Sequence, residues 1–127
     1  MLFRSRGAAL VDFDQDGRVD LAVSQNNGAT KLYRNRGAKR GLRVLLVGPQ
    51  GNPDAIGAQL RLVYADHHRG PCRTLQAGSG YCSQDATTQV LGMPEFPVAL
   101  WIRWPGGREQ TVAIEANTWT LRVVFQP

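Results

Sequence analysis

Apolar positions along this chain recur at strand-like intervals, and long stretches at helical period are missing. Ala8-Ala9-Leu10-Val11 is a short apolar run. After an acidic stretch, Val19, Leu21 and Val23 alternate and share one face. Asn26-Asn27-Gly28 marks a turn, and residues 30–33 read as a third short strand. Residues 36–41 are polar and glycine-bearing, which makes them the best linker and divides the chain into 1–38 and 39–127. Beyond the linker, about seven strands are expected. Residues 42–47 form a continuous apolar run stopped by Gly48-Pro49. Residues 59–64 alternate, with Leu60 and Leu62 on one face. Residues 73–76 and 81–84 flank the Gly78-Ser79-Gly80 turn, which predicts a hairpin. Residues 87–91, 98–104, 110–114 and 119–125 complete the set, with Leu121, Val123 and Phe125 on one face of the last strand. This spacing suits an antiparallel sandwich or barrel.

Composition sharpens that picture without changing it. At 127 residues and 43% hydrophobic, the chain is long enough to bury a core without a staple. No run of 18 apolar residues exists, so no membrane span is expected, and the opening Met1–Arg6 shows no signal-peptide core. The net charge of +5 hides an uneven distribution. Asp12, Asp14, Asp16 and Asp20 lie within nine residues; outside that stretch 14 basic side chains face 6 acidic ones. Cys72 and Cys82 are the only cysteines. Their spacing fits no zinc pattern, and whether they form a disulfide is left open.

The acidic stretch is the strongest chemical signal. Asp12-Phe13-Asp14-Gln15-Asp16-Gly17-Arg18-Val19-Asp20 places carboxylates at loop positions 1, 3, 5 and 9. Such a set repels itself unless a cation sits among it. Gly17 supplies the positive φ that turns the chain. Calcium takes six to eight oxygens, which the four carboxylates, the Arg18 carbonyl and water can supply. An EF-hand is excluded because Val23 stands where its bidentate glutamate belongs, and because the flanks are strands.

Residues 7–23, with Asn27-Gly28 and Leu32-Tyr33-Arg34-Asn35, resemble an FG-GAP (VCBS-type) repeat, the blade unit of calcium-binding β-propellers. The resemblance implies that Asp12, Asp14, Asp16 and Asp20 are calcium ligands. Only one such repeat is present, where a propeller needs several. The remainder resembles the ASPIC/UnbV domain of the cartilage acidic protein group. Its signature here is Asn52-Pro53-Asp54-Ala55-Ile56-Gly57-Ala58, then residues 76–84, Leu91-Gly92, and Ile102-Arg103-Trp104-Pro105-Gly106-Gly107. Pattern and resemblance together imply an all-β chain: one propeller-type calcium-loop unit followed by an antiparallel β-sandwich or barrel-like domain. The resemblance also implies an extracellular or periplasmic setting and a role in binding or adhesion.

Other chemistry is thin. Asp66-His67-His68 tempts a metal reading, but adjacent histidines on a strand face opposite ways. Trp101, Trp104 and Trp119 read as core rather than as a sugar platform. Gly78-Ser79-Gly80-Tyr81 reads as a plain turn rather than an anion nest. No nucleophile elbow or acid–base pair suggests catalysis. The expected function is therefore a non-enzymatic, calcium-stabilised interaction module with an unidentified protein or glycan partner. The alternative is a nucleic-acid or anionic-glycan binder using Lys31, Arg34, Arg36, Lys39, Arg40 and Arg43. A lone blade unit leaves its faces and edges unpartnered, so docking onto the chain's own sandwich and pairing as a homodimer both compete to cover it.

Overall fold

The computed structural model describes residues 5–80 and 82–127 and is all-β, with no helix among the described residues. None is therefore long and apolar enough to cross a membrane. The first sheet is a three-stranded antiparallel meander of β1 (Ser5–Val11), β2 (Asp20–Gln25) and β3 (Lys31–Tyr33). Val11 pairs with Asp20, so the acidic stretch is the loop of the β1–β2 hairpin.

Two further sheets share one core. The four-stranded sheet orders β6 (Arg73–Thr74), β5 (Gln59–Val63), β8 (Ala99–Arg103) and β9 (Glu109–Ala113), all antiparallel. The three-stranded sheet orders β10 (Thr120–Val124), β4 (Leu42–Val47) and β7 (Gln89–Leu91). Pleat alternation dictates what each strand buries. β4 contributes Leu42, Val44 and Leu46, β5 contributes Leu60 and Leu62, and β10 contributes Val123, with Leu121 and Phe125 packed alongside. The expected faces of 59–64 and 119–125 are thus the ones that face inward. The result is a β-sandwich without a closed barrel.

Two features depart from the antiparallel, hairpin-linked reading. β4 and β10 run parallel, so the first strand of the sandwich lies beside the last. Parallel neighbours need a long crossover, and the rest of the sandwich provides it. The second departure is at residues 73–84. The hairpin expected across Gly78-Ser79-Gly80 does not form among the described residues, and Tyr81 lies outside them. Instead β6 pairs with β5, and the backbone of Leu75 bonds Ala58 and Gly57. Leu75 is 2% exposed, and burying it draws the segment onto the sandwich and away from residues 82–84. Cys72 and Cys82 are accordingly free and exposed, and the disulfide left open by the sequence is not formed.

The hairpin sheet docks on the sandwich through specific groups. The Gly41 N–H donates to the Gly17 carbonyl at 2.8 Å. On the outer edge of β1, Leu10 N–H donates to Asp85 Oδ1 at 2.7 Å and Leu10 O accepts from Ala86 N–H at 2.9 Å. One edge of the sheet is therefore capped from within the chain.

Candidate metal centre

Antiparallel pairing of β1 with β2 brings Asp12 and Asp20 to the two stems of the loop. Gln15 (φ 61°) and Gly17 (φ 81°) then wrap the chain so that carboxylates turn inward. A side chain at Gly17 would also sit 2.7 Å from Arg40 Cγ, so the close approach of the sandwich demands glycine as well. Asp12 accepts the N–H groups of Asp16 and Gly17, each at 3.0 Å. Asp20 accepts from Asn35 at 2.7 Å and Phe13 at 3.3 Å, tying the loop to the segment after β3. Asp12 and Asp20 are buried, at 8% and 1% exposure.

Asp12, Asp14 and Asp20 each offer an oxygen within 4.8 Å of the others. Calcium–oxygen bonds of about 2.4 Å put opposite ligands about 4.8 Å apart, so these oxygens fit around one such ion. An all-carboxylate donor set is hard, which suits calcium and disfavours soft metals. Asp16, grouped with them by the alternation, stands outside this trio. Its carboxylate is turned to Arg18 at 3.0 Å and Arg34 at 3.6 Å. Partial desolvation pushes the Asp16 carboxyl up, but hydrogen bonds from Arg18 and the charges of Arg18 and Arg34 outweigh it, leaving it below the usual carboxylate range. The Arg18 guanidinium also donates to the Ala38 carbonyl at 2.7 Å.

Two arginines reach the trio itself. Arg34 lies 2.5 Å from Asp14, and Arg43 of β4 lies 2.6 Å from Asp12. The Arg43–Asp12 pair is well shielded, with side chains 13% and 1% exposed. Removing one member of such a pair strands the other charge. Arg43→Ala should therefore lower stability by about 1–3 kcal/mol without added metal. A urea midpoint unchanged from the parent would show that the hairpin docks without this pair.

The six basic residues of the alternative reading do not form one set. Arg34 and Arg43 serve the aspartates. Arg40 lies over the Trp119 ring at 4.5 Å, while Lys31 sits in β3 on the far edge of the hairpin sheet. Of the three tryptophans read as core, Trp104 joins the core cluster and Trp101 is buried outside it, while Trp119 is only half-buried under Arg40. His67 and His68 are in a turn, where His68 pairs with Asp66 and stacks on Tyr64 at 4.4 Å. The paired imidazole holds the Asp66 carboxyl below its usual range. Sequence reasoning weighed this trio only as a metal site and missed that His68 lines a cavity with Tyr64, Arg69 and Lys39. No spacing rule connects residues 39, 64–71 and 92–94; the sandwich topology does.

Burial, helped by the nearby charge of Glu95, raises the Tyr64 phenol above its ordinary value. A folded state that holds the proton more tightly than the unfolded chain loses stability as pH rises past about 10. Tyr64→Phe should therefore flatten the fall in stability between about pH 9 and about pH 11. Equal alkaline slopes for parent and variant, measured by urea unfolding, would contradict this.

The sandwich motifs have structural roles. Asn52 closes the loop after β4, accepting from Ile56 N–H at 2.9 Å and donating to the Ile56 carbonyl at 2.8 Å. Gly48 leaves no room for a side chain there: a Cβ would lie 2.1 Å from the Asn52 carbonyl oxygen. Ala55 and Ala58 are fully buried. Trp104 anchors the β8–β9 turn, its carbonyl accepting from Gly107 N–H and its N–H donating to Arg108 O. No curated protein matches the chain. The family model described as ASPIC and UnbV matches residues 48–124, which run from this loop to the end of β10. With more than half of its length so matched, the chain belongs to the ASPIC and UnbV family.

Proposed function

We propose that the chain is a non-catalytic interaction module whose β1–β2 hairpin is stabilised by calcium. The observation that carries this reading is the convergence of the Asp12, Asp14 and Asp20 carboxylates within 4.8 Å. Asp12 and Asp20 are buried, where unneutralised charge is costly. Two guanidiniums relieve that cost in part, and a divalent ion held by the three carboxylates would relieve more. The Arg18 carbonyl and water complete the oxygen shell in this reading. The FG-GAP-type nature of residues 1–38 is part of the same proposal, supported by the three-stranded meander with its carboxylate loop. So is an extracellular or periplasmic setting, where calcium is plentiful enough for a weak site.

The interaction role is supported by where apolar surface remains. Among the described residues, five of eight large exposed apolar side chains belong to the hairpin sheet and its loop: Leu10, Phe13, Val19, Leu32 and Tyr33. Strand register puts Leu10 and Tyr33 on one face of the sheet, on either side of Leu21, and Leu32 on the other, and exposed apolar side chains gathered on one small sheet mark a contact surface. A second copy of the chain, joining through the open edge of β3, is one partner this face would accept.

Calorimetric titration of metal-free protein with calcium tests the reading. One site per chain with Kd on the order of 10⁻⁴–10⁻³ M is expected. Heat indistinguishable from dilution, or an equal response to magnesium, would overturn it.

A further inference from the structure

We propose that a cleft of ≈ 580 Å³ between the linker and the β5–β6 connection binds an acidic peptide segment of a partner protein through an apolar side chain flanked by carboxylates. This names the partner of the interaction module, and it depends on that role but not on calcium. Three cationic side chains line the cleft: Lys39, Arg40 and Arg69. None is in an ion pair among the described residues, in contrast to Arg18, Arg34 and Arg43. All three are exposed.

Two of these cations are held in place before any ligand arrives. Arg40 lies over Trp119 at 4.5 Å and Arg69 over Trp101 at 4.9 Å. Stacking on an aromatic face occupies the guanidinium plane and leaves its N–H edge for an anion. It also lowers the ordering cost of binding, because the long side chain is already restrained. The acids beside the cleft do not cancel this charge locally. Asp66 is paired with His68, and Glu95, whose charge reaches Tyr64, is outnumbered by the three cations.

The remaining lining decides the ligand class. Met93, Pro94, Pro71, Gly70 and Gly92 offer apolar surface and backbone, with the stacked Tyr64 and His68 rings beside them. Among the described residues, no Ser, Thr, Asn or Gln side chain lines the cleft. Sugar hydroxyls would meet mainly the donors of Lys39, Arg40 and Arg69, which offer no acceptor, and burying them half-satisfied is unfavourable. A nucleic-acid backbone wants a long basic track, whereas the chain's other loop-proximal arginines are engaged by aspartates. An apolar side chain suits the adaptable methionine and the prolines, and neighbouring carboxylates suit the cations.

Fluorescence anisotropy on the full chain, in EDTA, tests the site with a fluorescein-labelled glutamate decapeptide carrying one central phenylalanine. Saturable binding with Kd on the order of 10⁻⁴ M, weakened by salt, is expected. Replacing the phenylalanine by glycine should weaken it several-fold. Lys39→Glu with Arg69→Glu should weaken it at least about tenfold. Lys39→Glu alone, which disturbs no stacked ring, should weaken it measurably with melting unchanged. Absence of binding at about 1 mM peptide overturns the proposal. So does binding insensitive to these substitutions, or tighter binding of a heparin tetrasaccharide or of single-stranded DNA at the same cleft. Because calcium is absent throughout, failure here leaves the metal reading standing, and failure of the calcium titration leaves this one standing.

Discussion

Trp104→Ala is expected to lower the unfolding free energy by about 3–5 kcal/mol, a large part of the stability of a domain this size. Trp104 follows β8 and is only 2% exposed. Its ring meets Phe125 edge-on at 5.2 Å, which joins the end of the four-stranded sheet to the chain just beyond β10 of the other. Its indole N–H donates to Gln110 Oε1 at 2.9 Å, fixing the start of β9. Alanine removes the buried area, leaves a cavity between the sheets and strands the Gln110 oxygen. Trp104→Phe keeps most of the area and loses only the hydrogen bond, so about 1–2 kcal/mol is expected. Urea unfolding of the three proteins gives the ranking directly. A loss below about 1 kcal/mol for the alanine variant would mean that this ring does not lock the sheets together.

Hundredfold calcium over Kd should stabilise the parent by about 2.7 kcal/mol, or about 10 °C in Tm. The ion binds the folded loop, and the unfolded chain scatters its carboxylates. Asp14→Asn is the sharpest probe. Asp14 pairs with Arg34, whose side chain is 49% exposed, so its loss should barely move the metal-free Tm. The calcium shift, by contrast, should collapse, because one of three converging carboxylates is gone. Asp20→Ala is less selective, since Asp20 also holds Asn35 and Phe13. Magnesium should stabilise less, because it demands shorter bonds and keeps its waters. Parent and Asp14→Asn rising equally with calcium would place any binding elsewhere in the molecule.

The local patterns were legible because they obey two-residue and turn rules that need no partner. The alternation at 59–63 names Leu60 and Leu62 as buried, and they are. The sequence assigns positive φ in the loop to Gly17, which has it, though Gln15 adopts it too. The acidic spacing marks Asp12, Asp14, Asp16 and Asp20 as a convergent set, and three of the four come together. The motifs around residues 52–58 and 102–107 were enough to suggest the family that the match over 48–124 establishes.

What the sequence could not rank was competition for partners. Asp16 has the same spacing credentials as its neighbours, yet Arg34, eighteen residues on, draws its carboxylate away together with Arg18. Residues 73–76 had a turn beside them, but the gain from burying Leu75 on the sandwich outweighed a local hairpin. That choice also left Cys72 and Cys82 free. Arg43 looked like part of a basic patch until β4, placed beside β10 and β7, carried it against Asp12. Sequence by itself determined strand faces, the turns other than that at residues 78–80, and the acidic loop, because those depend on backbone geometry over a few residues. Only the tertiary structure decided which carboxylates converge, which arginines neutralise them and which cations stay unpaired, because charges interact through space at distances the chain order does not encode.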